Sequence, residues 1–202
     1  MKRTILLVAL LCAWASPVHA QWVASPYIDS NVVGDVETGR GGIGVSVGYH
    51  PRRLVGFELD FEWHDHFFND DDVASLVPAS GVDLNTDAML LMGNFVAPYC
   101  VSSAAGGTWC PYGAAGLGVI RADFDANVFD PSVQGDYDTD QVNLAFNVGV
   151  GVMHRLTRLV GLRVDLRYIH ALVDESAHSG GYFKDYDFVR ASVGVTFGTP
   201  RL

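Results

Sequence analysis

From residue 22 to residue 197 the sequence repeatedly places an apolar residue at every second position, with glycine, small polar or charged residues between them. Successive side chains of a strand point to opposite faces, so a period of two defines a sheet with one apolar and one polar face. Five stretches keep the pattern well. Residues 43–49 set Ile43, Val45, Val47 and Tyr49 against Gly44, Ser46 and Gly48. Residues 55–64 set Val55, Phe57, Leu59, Phe61 and Trp63 against Gly56, Glu58, Asp60, Glu62 and His64. Residues 142–152, 160–168 and 189–197 repeat it with valine, leucine and phenylalanine on one face and Asn, Gly, Arg, Asp or Ser on the other. Residues 22–30, 88–97 and 112–124 carry apolar or small residues on both faces, and their register is open. They bring the strands to eight, an even number as a closed antiparallel barrel of this kind requires.

The distribution of charge decides which face meets which medium. A soluble barrel that holds a small ligand lines its cavity with the apolar face. Here the faces that alternate with the long apolar rows carry Glu58, Asp60, Glu62, Arg163, Asp165, Arg167 and Arg190, too many charges for such a cavity. With the apolar rows outward and the charges inward, the chain reads as all-β: an eight-stranded antiparallel up-and-down transmembrane β-barrel. Residues 1–20 read as a cleaved secretory signal, with Lys2 and Arg3, an apolar run from Ile5 to Trp14, Pro17, and small-residue positions before Gln21. That run is too short for a helical span, and no later segment approaches the roughly 18 consecutive apolar residues a helix needs. Residues 21–202 then form the barrel domain, with no linker or second domain. Cys12 follows Leu10 and Leu11 rather than small residues, which does not fit a lipoprotein cleavage site.

The connections differ in length and composition. Short arginine-bearing turns occur at 50–53 and 154–158, and longer acid-rich segments at 31–40, 65–84, 125–140 and 171–185. Short turns on one side and long loops on the other predict periplasmic termini and extracellular loops in the outer membrane. The chain has 13 basic and 23 acidic residues, and loss of Lys2 and Arg3 with the leader would make it more acidic still. Such a surface excludes nucleic acid as a natural partner. The clusters Asp70-Asp71-Asp72 and Asp136, Asp138, Asp140 lack the spacing, glycine and terminal glutamate of a calcium loop and read as solvated loops facing the lipopolysaccharide layer or other cells.

The segment 98–111 is long for a periplasmic turn, and its ends, Pro98-Tyr99-Cys100 and Cys110-Pro111-Tyr112, are near mirror images. Two cysteines in an oxidising compartment predict a disulfide. A Cys100–Cys110 bond would staple the turn and stabilise the fold by about 2–3 kcal/mol. Inside an eight-stranded barrel there is room for little but side chains, so Glu58, Asp60 and Glu62 are expected to pair with Arg163, Arg167 and Arg190, with Asp165 on the same inward face. This structural charge network leaves little room for an open channel, the alternative being a narrow or gated pore.

Chemistry beyond that is sparse. His64 and His66 share a face with Glu62, a partial metal-ligand set, but a third or fourth ligand is not identifiable, so no metal or other cofactor is assigned. A lipid A-modifying hydrolase is the enzymatic alternative, with His170 near Asp174, Glu175 and Ser176, or His178 with Ser179, as nucleophile and base. Lipid A deacylases place a histidine two residues before their serine, whereas His170 is followed by Ala171, Leu172 and Val173, so no catalytic residue is assigned.

The stretches GIGVSVGYHPRRLVGFELDFEW, PYGAAGLGV and FVRASVGVTF resemble the outer-membrane protein β-barrel domain family, which includes outer-membrane protein A-like and opacity-like small barrels. The resemblance spans most of residues 21–197 and rests on glycines and alternation rather than one motif. It implies an eight-stranded, monomeric, integral outer-membrane barrel and assigns no catalytic residues; the partners expected are outer-membrane lipid, lipopolysaccharide and the outer-membrane assembly machinery. The chain departs from the family where Phe197, the aromatic of the last strand, is followed by Gly198-Thr199-Pro200-Arg201-Leu202. A peptidoglycan-binding domain is not seen after the barrel, so no wall-anchoring role is carried over. The function expected is non-enzymatic: support of envelope integrity, with surface interaction through the acidic loops.

Overall fold

The structure, a computed structural model, describes residues 22–50, 55–65, 67–68, 83–102, 107–127, 139–172 and 185–198. The leader read at 1–20 lies outside them, as do Arg52, Arg53, His66, Asp70-Asp71-Asp72, Asp136, Asp138 and the 174–179 segment with its candidate nucleophiles.

Among the described residues there are nine strands: β1 (Trp22–Gly34), β2 (Gly41–Tyr49), β3 (Gly56–His64), β4 (Asp83–Pro98), β5 (Val101–Ser102), β6 (Thr108–Asn127), β7 (Thr139–Arg155), β8 (Val160–Leu172) and β9 (Tyr186–Phe197). Eight of them form the ring in the order β4-β3-β2-β1-β9-β8-β7-β6, which β4–β6 pairing closes. Every pairing is antiparallel. The ninth, β5, is a two-residue stub that pairs with the start of β6, so the long 98–111 segment is a small hairpin rather than an open turn. Cys100 and Cys110 are joined there by a disulfide, and the Tyr99 amide donates to the Pro111 carbonyl at 2.8 Å.

The five well-patterned stretches take the predicted register. Ile43, Leu59, Val150, Leu166 and Val193 lie on the outside, whereas Ser46, Glu58, Asp60, Arg163, Arg167 and Arg190 are buried inside. An outer wall of exposed valine, leucine and phenylalanine is unstable against water and stable against lipid, which fits a membrane span. Near the short-turn end this wall carries Trp22, Tyr49, Tyr99, Trp109 and Phe197, an aromatic girdle of the kind that sits at a membrane interface.

The three weak stretches are longer than the sequence suggested, at 22–34, 83–98 and 108–127. Their pattern is blurred for a physical reason. In β4 and β6 the inward positions include Ala88, Leu90, Met92, Val96, Ala114, Ile120 and Ala122, which fill part of the lumen with hydrocarbon and erase the polar half of the alternation, whereas in β1 the inward face is mostly polar beyond Val23 and the outward Ala24, Pro26 and Ser30 interrupt the apolar row. Inward glycines make room for large neighbours. A β-carbon on Gly44 would lie 2.4 Å from the Tyr27 ring, so the phenol of β1 lies across β2 where a side chain would otherwise stand.

Leu166, at the middle of β8 and on the outer wall, provides a direct check of the lipid-facing assignment. Leu166→Arg is expected to cost about 2–4 kcal/mol of folding stability in a bilayer, read by urea-dependent unfolding in lipid vesicles. A cost near zero would contradict the assignment.

Candidate functional site

The pleat of β3 forces its charged residues inward because each is flanked by a residue that belongs on the outer wall: Phe57, Leu59, Phe61 and Trp63. β8 does the same for Arg163, Asp165 and Arg167, and β9 for Arg190. β3 and β8 are four strands apart around the ring of eight, hence diametrically opposed. Long guanidinium side chains therefore cross the lumen to meet carboxylates on the far wall.

They meet in three steps. Arg163 donates from Nη1 to Glu58 Oε1 at 3.1 Å and from Nη2 to Glu58 Oε2 at 3.0 Å, a bidentate fork. Arg167 donates from Nη1 to Asp60 Oδ2 at 2.6 Å and from Nε to Asp165 Oδ1 at 2.8 Å. Arg190 pairs with Glu62 through Nη1 and approaches Asp165 Oδ1 at 3.5 Å through Nη2. All seven residues of the expected charge network are thus brought together, and each is at most 4% exposed.

Further polar side chains join the network. Tyr112 donates its hydroxyl to Asp165 and accepts from Arg163 Nε at 2.7 Å. Asn94 donates to Asp60 at 2.9 Å and Asn147 to Asn94 at 2.7 Å. Ser46 donates to Glu58 at 3.1 Å, and His50 Nε2 lies 2.9 Å from the same carboxylate. Tyr27 and Tyr112 also present their rings to Arg190 and Arg163, with the guanidinium carbons 5.4 and 4.9 Å from the ring centres.

Hydrocarbon lies on both sides of the charged layer. Toward the short turns it is Val96, Cys110, Tyr112, Ala114 and Met153. Toward the long connections a larger cluster includes Leu90, Met92, Ile120, Ile169, Tyr186 and Phe188, into which Phe67 inserts. Phe67 meets Phe188 edge-on at 5.3 Å and Phe68 at 5.0 Å, and Phe68 meets Tyr186 at 5.3 Å. Its backbone is fixed by Phe67 N to Thr86 O at 2.7 Å and Glu37 N to Phe67 O at 3.0 Å.

The remaining sequence candidates are spread out. His170 is outward beside Phe146, with ring centres 5.1 Å apart, and its Nδ1 has no hydrogen-bond partner among the described residues. The His178 and Ser179 pair lies outside the described residues. His64 and Glu62 do share the inward face, with His64 Nε2 3.5 Å from Glu62 Oε2. Sequence reading missed the third member: Asp29 of β1, whose Oδ1 is 3.3 Å from the same His64 Nε2. The signal was Gly42, which pairs with Asp29 on one side and His64 on the other. A β-carbon there would lie 2.6 Å from the imidazole and 2.7 Å from the carboxylate, so the missing side chain lets the two meet across β2.

Residues 4–197 match the outer membrane protein beta-barrel domain family. In structure the chain is similar to Neisserial surface protein A, with TM-score 0.59 and 15% identity over 89% of this chain and 97% of that one. It is also similar to a major outer membrane protein from Thermus thermophilus, with TM-score 0.56 and 13% identity over 87% and 98%. The N-terminal β-barrel domain of Pseudomonas aeruginosa OprF gives TM-score 0.51 and 15% identity over 88% and 97%. At these identities the likeness is one of fold. No curated protein matches the chain in sequence.

Removing one partner of a buried ion pair leaves a desolvated charge. Arg163→Ala, which takes from Glu58 its bidentate guanidinium, is therefore expected to cost about 3–5 kcal/mol, measured by urea unfolding in lipid vesicles. A cost below about 1 kcal/mol, the range of exposed pairs, would mean that the pair is solvated.

Proposed function

The chain belongs to the outer membrane protein beta-barrel domain family, and from that premise we propose that it is a non-enzymatic, sealed barrel that supports the envelope and presents its acidic connections to the exterior. Outer-membrane localisation follows from the family and from the barrels it resembles. The observation that carries the further reading is the filled lumen: a three-step ion-pair ladder between two hydrocarbon layers, with Phe67 buried among the aromatics of the upper one. A passage for solutes needs a continuous hydrated path, and at these levels buried side chains occupy the section.

In this reading residues 1–20 direct export and are removed. The termini and the short turns lie in the periplasm, and the long acidic segments 65–84, 125–140 and 171–185 face lipopolysaccharide and external partners. The barrel acts as a monomer after insertion by the outer-membrane assembly machinery. Its acidic exterior favours cationic or divalent-bridged partners over polyanions.

Two measurements test this. Proteoliposomes are expected to show no conductance above protein-free vesicles, and outer membranes from cells with and without the protein to show the same lipid A mass spectrum. Steady single-channel currents would replace the sealed-barrel reading with a pore. A discrete mass change of one acyl chain would replace it with a lipid A-modifying enzyme and direct mutagenesis to His170 and His178.

A further inference from the structure

The charged layer does not balance. Among the described residues, five buried carboxylates (Asp29, Glu58, Asp60, Glu62, Asp165) face three buried guanidiniums (Arg163, Arg167, Arg190). Counted as carboxylates and guanidiniums alone, the layer has two more acidic than basic groups in a region that water barely reaches. At one end of the ladder His50 Nε2 lies 2.9 Å from Glu58. At the other end Asp29 has no guanidinium of its own. It is 6% exposed, and neither of its oxygens meets a donor in good hydrogen-bonding geometry. Asn31, next on the same inward face, also leaves both amide atoms without a partner. Buried carboxylates without donors are costly unless something cationic stands between them.

We propose that Asp29, Glu62 and His64 form a lumenal binding site for one divalent transition-metal ion, enclosed beneath Phe67. Each of the three residues offers one donor atom, and the three atoms all lie within 4.8 Å of one another. His64 Nε2 lies 3.3 Å from Asp29 Oδ1 and 3.5 Å from Glu62 Oε2. Tetrahedral ligands at zinc bond lengths are about 3.3–3.6 Å apart, so both separations already suit a shared ion. One imidazole nitrogen with two carboxylate oxygens suits zinc and its first-row neighbours better than magnesium or calcium, which favour oxygen alone.

Each ligand has a reason to be where it is. Glu62 is fixed by Arg190 through Oε1, which leaves Oε2 turned to His64. Gly42 provides the gap through which Asp29 and His64 approach each other. The His64 ring packs edge-on against Phe67, with centres 5.6 Å apart, and Phe67 is 1% exposed. An ion at this point would offset the two surplus acidic groups and tie β1 to β3 across the intervening β2. The enclosure also means that the metal enters during folding and leaves slowly.

The test uses the full barrel refolded from urea into detergent micelles in metal-free buffer, with Zn²⁺ alone as the probe. The expected result is one zinc per chain retained through gel filtration and a higher thermal midpoint than the metal-free barrel. Asp29→Asn and His64→Gln, which keep Glu62 and its arginine intact, are expected to weaken binding by at least about tenfold, the smallest loss typical even of an outer-shell partner. A folded wild-type barrel that retains no zinc overturns the proposal. So does equal retention by the two variants, since the ion would then sit on other acids. Should either variant fail to fold, X-ray absorption at the zinc edge of the wild-type barrel decides: a shell with one imidazole and carboxylate oxygens supports the site, and an all-oxygen shell overturns it.

Discussion

An eight-strand ring encloses a space that must be filled by its own side chains, and here the filling is electrostatic at its centre. Arg163, Arg167 and Arg190 reach across the lumen to Glu58, Asp60 and Glu62, with Asp165 touching all three guanidiniums. The pairs made with β3 connect strands that are not neighbours in the sheet. Backbone ladders hold each strand to the next, but only contacts through the lumen fix one wall relative to the opposite one. Buried ion pairs are weak evidence of net stability, because desolvation offsets much of the Coulomb attraction. Their effect lies in specificity, since any register that slipped by one residue would turn these charges into the lipid.

The layering explains how such a charged centre is tolerated. Hydrocarbon at both ends keeps water from the ion pairs, which shortens and strengthens them. The polar neighbours Tyr112, Asn94, Asn147 and Ser46 take up lone pairs and protons that the arginines leave over. Among the described residues the satisfaction is poorest along the inward face of β1, where the consecutive inward residues Ser25, Tyr27, Asp29 and Asn31 all leave polar atoms without a partner; Asp60 Oδ1 and Arg190 Nε do so inside the ladder. That concentration on one wall gives the Asp29, Glu62 and His64 cluster its interest as a cation site.

Legibility in the sequence followed the polarity of the inward face. Strands β2, β3, β7, β8 and β9 line the lumen with Gly, Ser, Asn or charge, so alternation reported both their existence and their register. Strands β4 and β6 place Leu90, Met92, Val96 and Ile120 inside, and a period of two vanishes when both faces are apolar. The pairing of carboxylates with arginines could be anticipated because alternation assigns a face. The choice of partner could not, because it depends on how far the ring's stagger shifts one strand against another. Asp29 escaped notice for the same reason: it lies in β1, and its nearness to His64 is visible only once Gly42 is known to stand between them. The Cys100 and Cys110 bond was legible from their mirrored flanks, but the β5 stub that accompanies it was too short to leave a pattern.

The central claim is that opposite walls are joined by desolvated charge pairs, and a double-mutant cycle on Asp60 and Arg167 in lipid vesicles tests it most directly. The account predicts that Asp60→Asn and Arg167→Met are strongly non-additive, with a coupling energy of about 1–3 kcal/mol, as for residues in one buried network. Additivity within about 0.5 kcal/mol would contradict it, since two groups that add independently do not hold one wall of the barrel to the other.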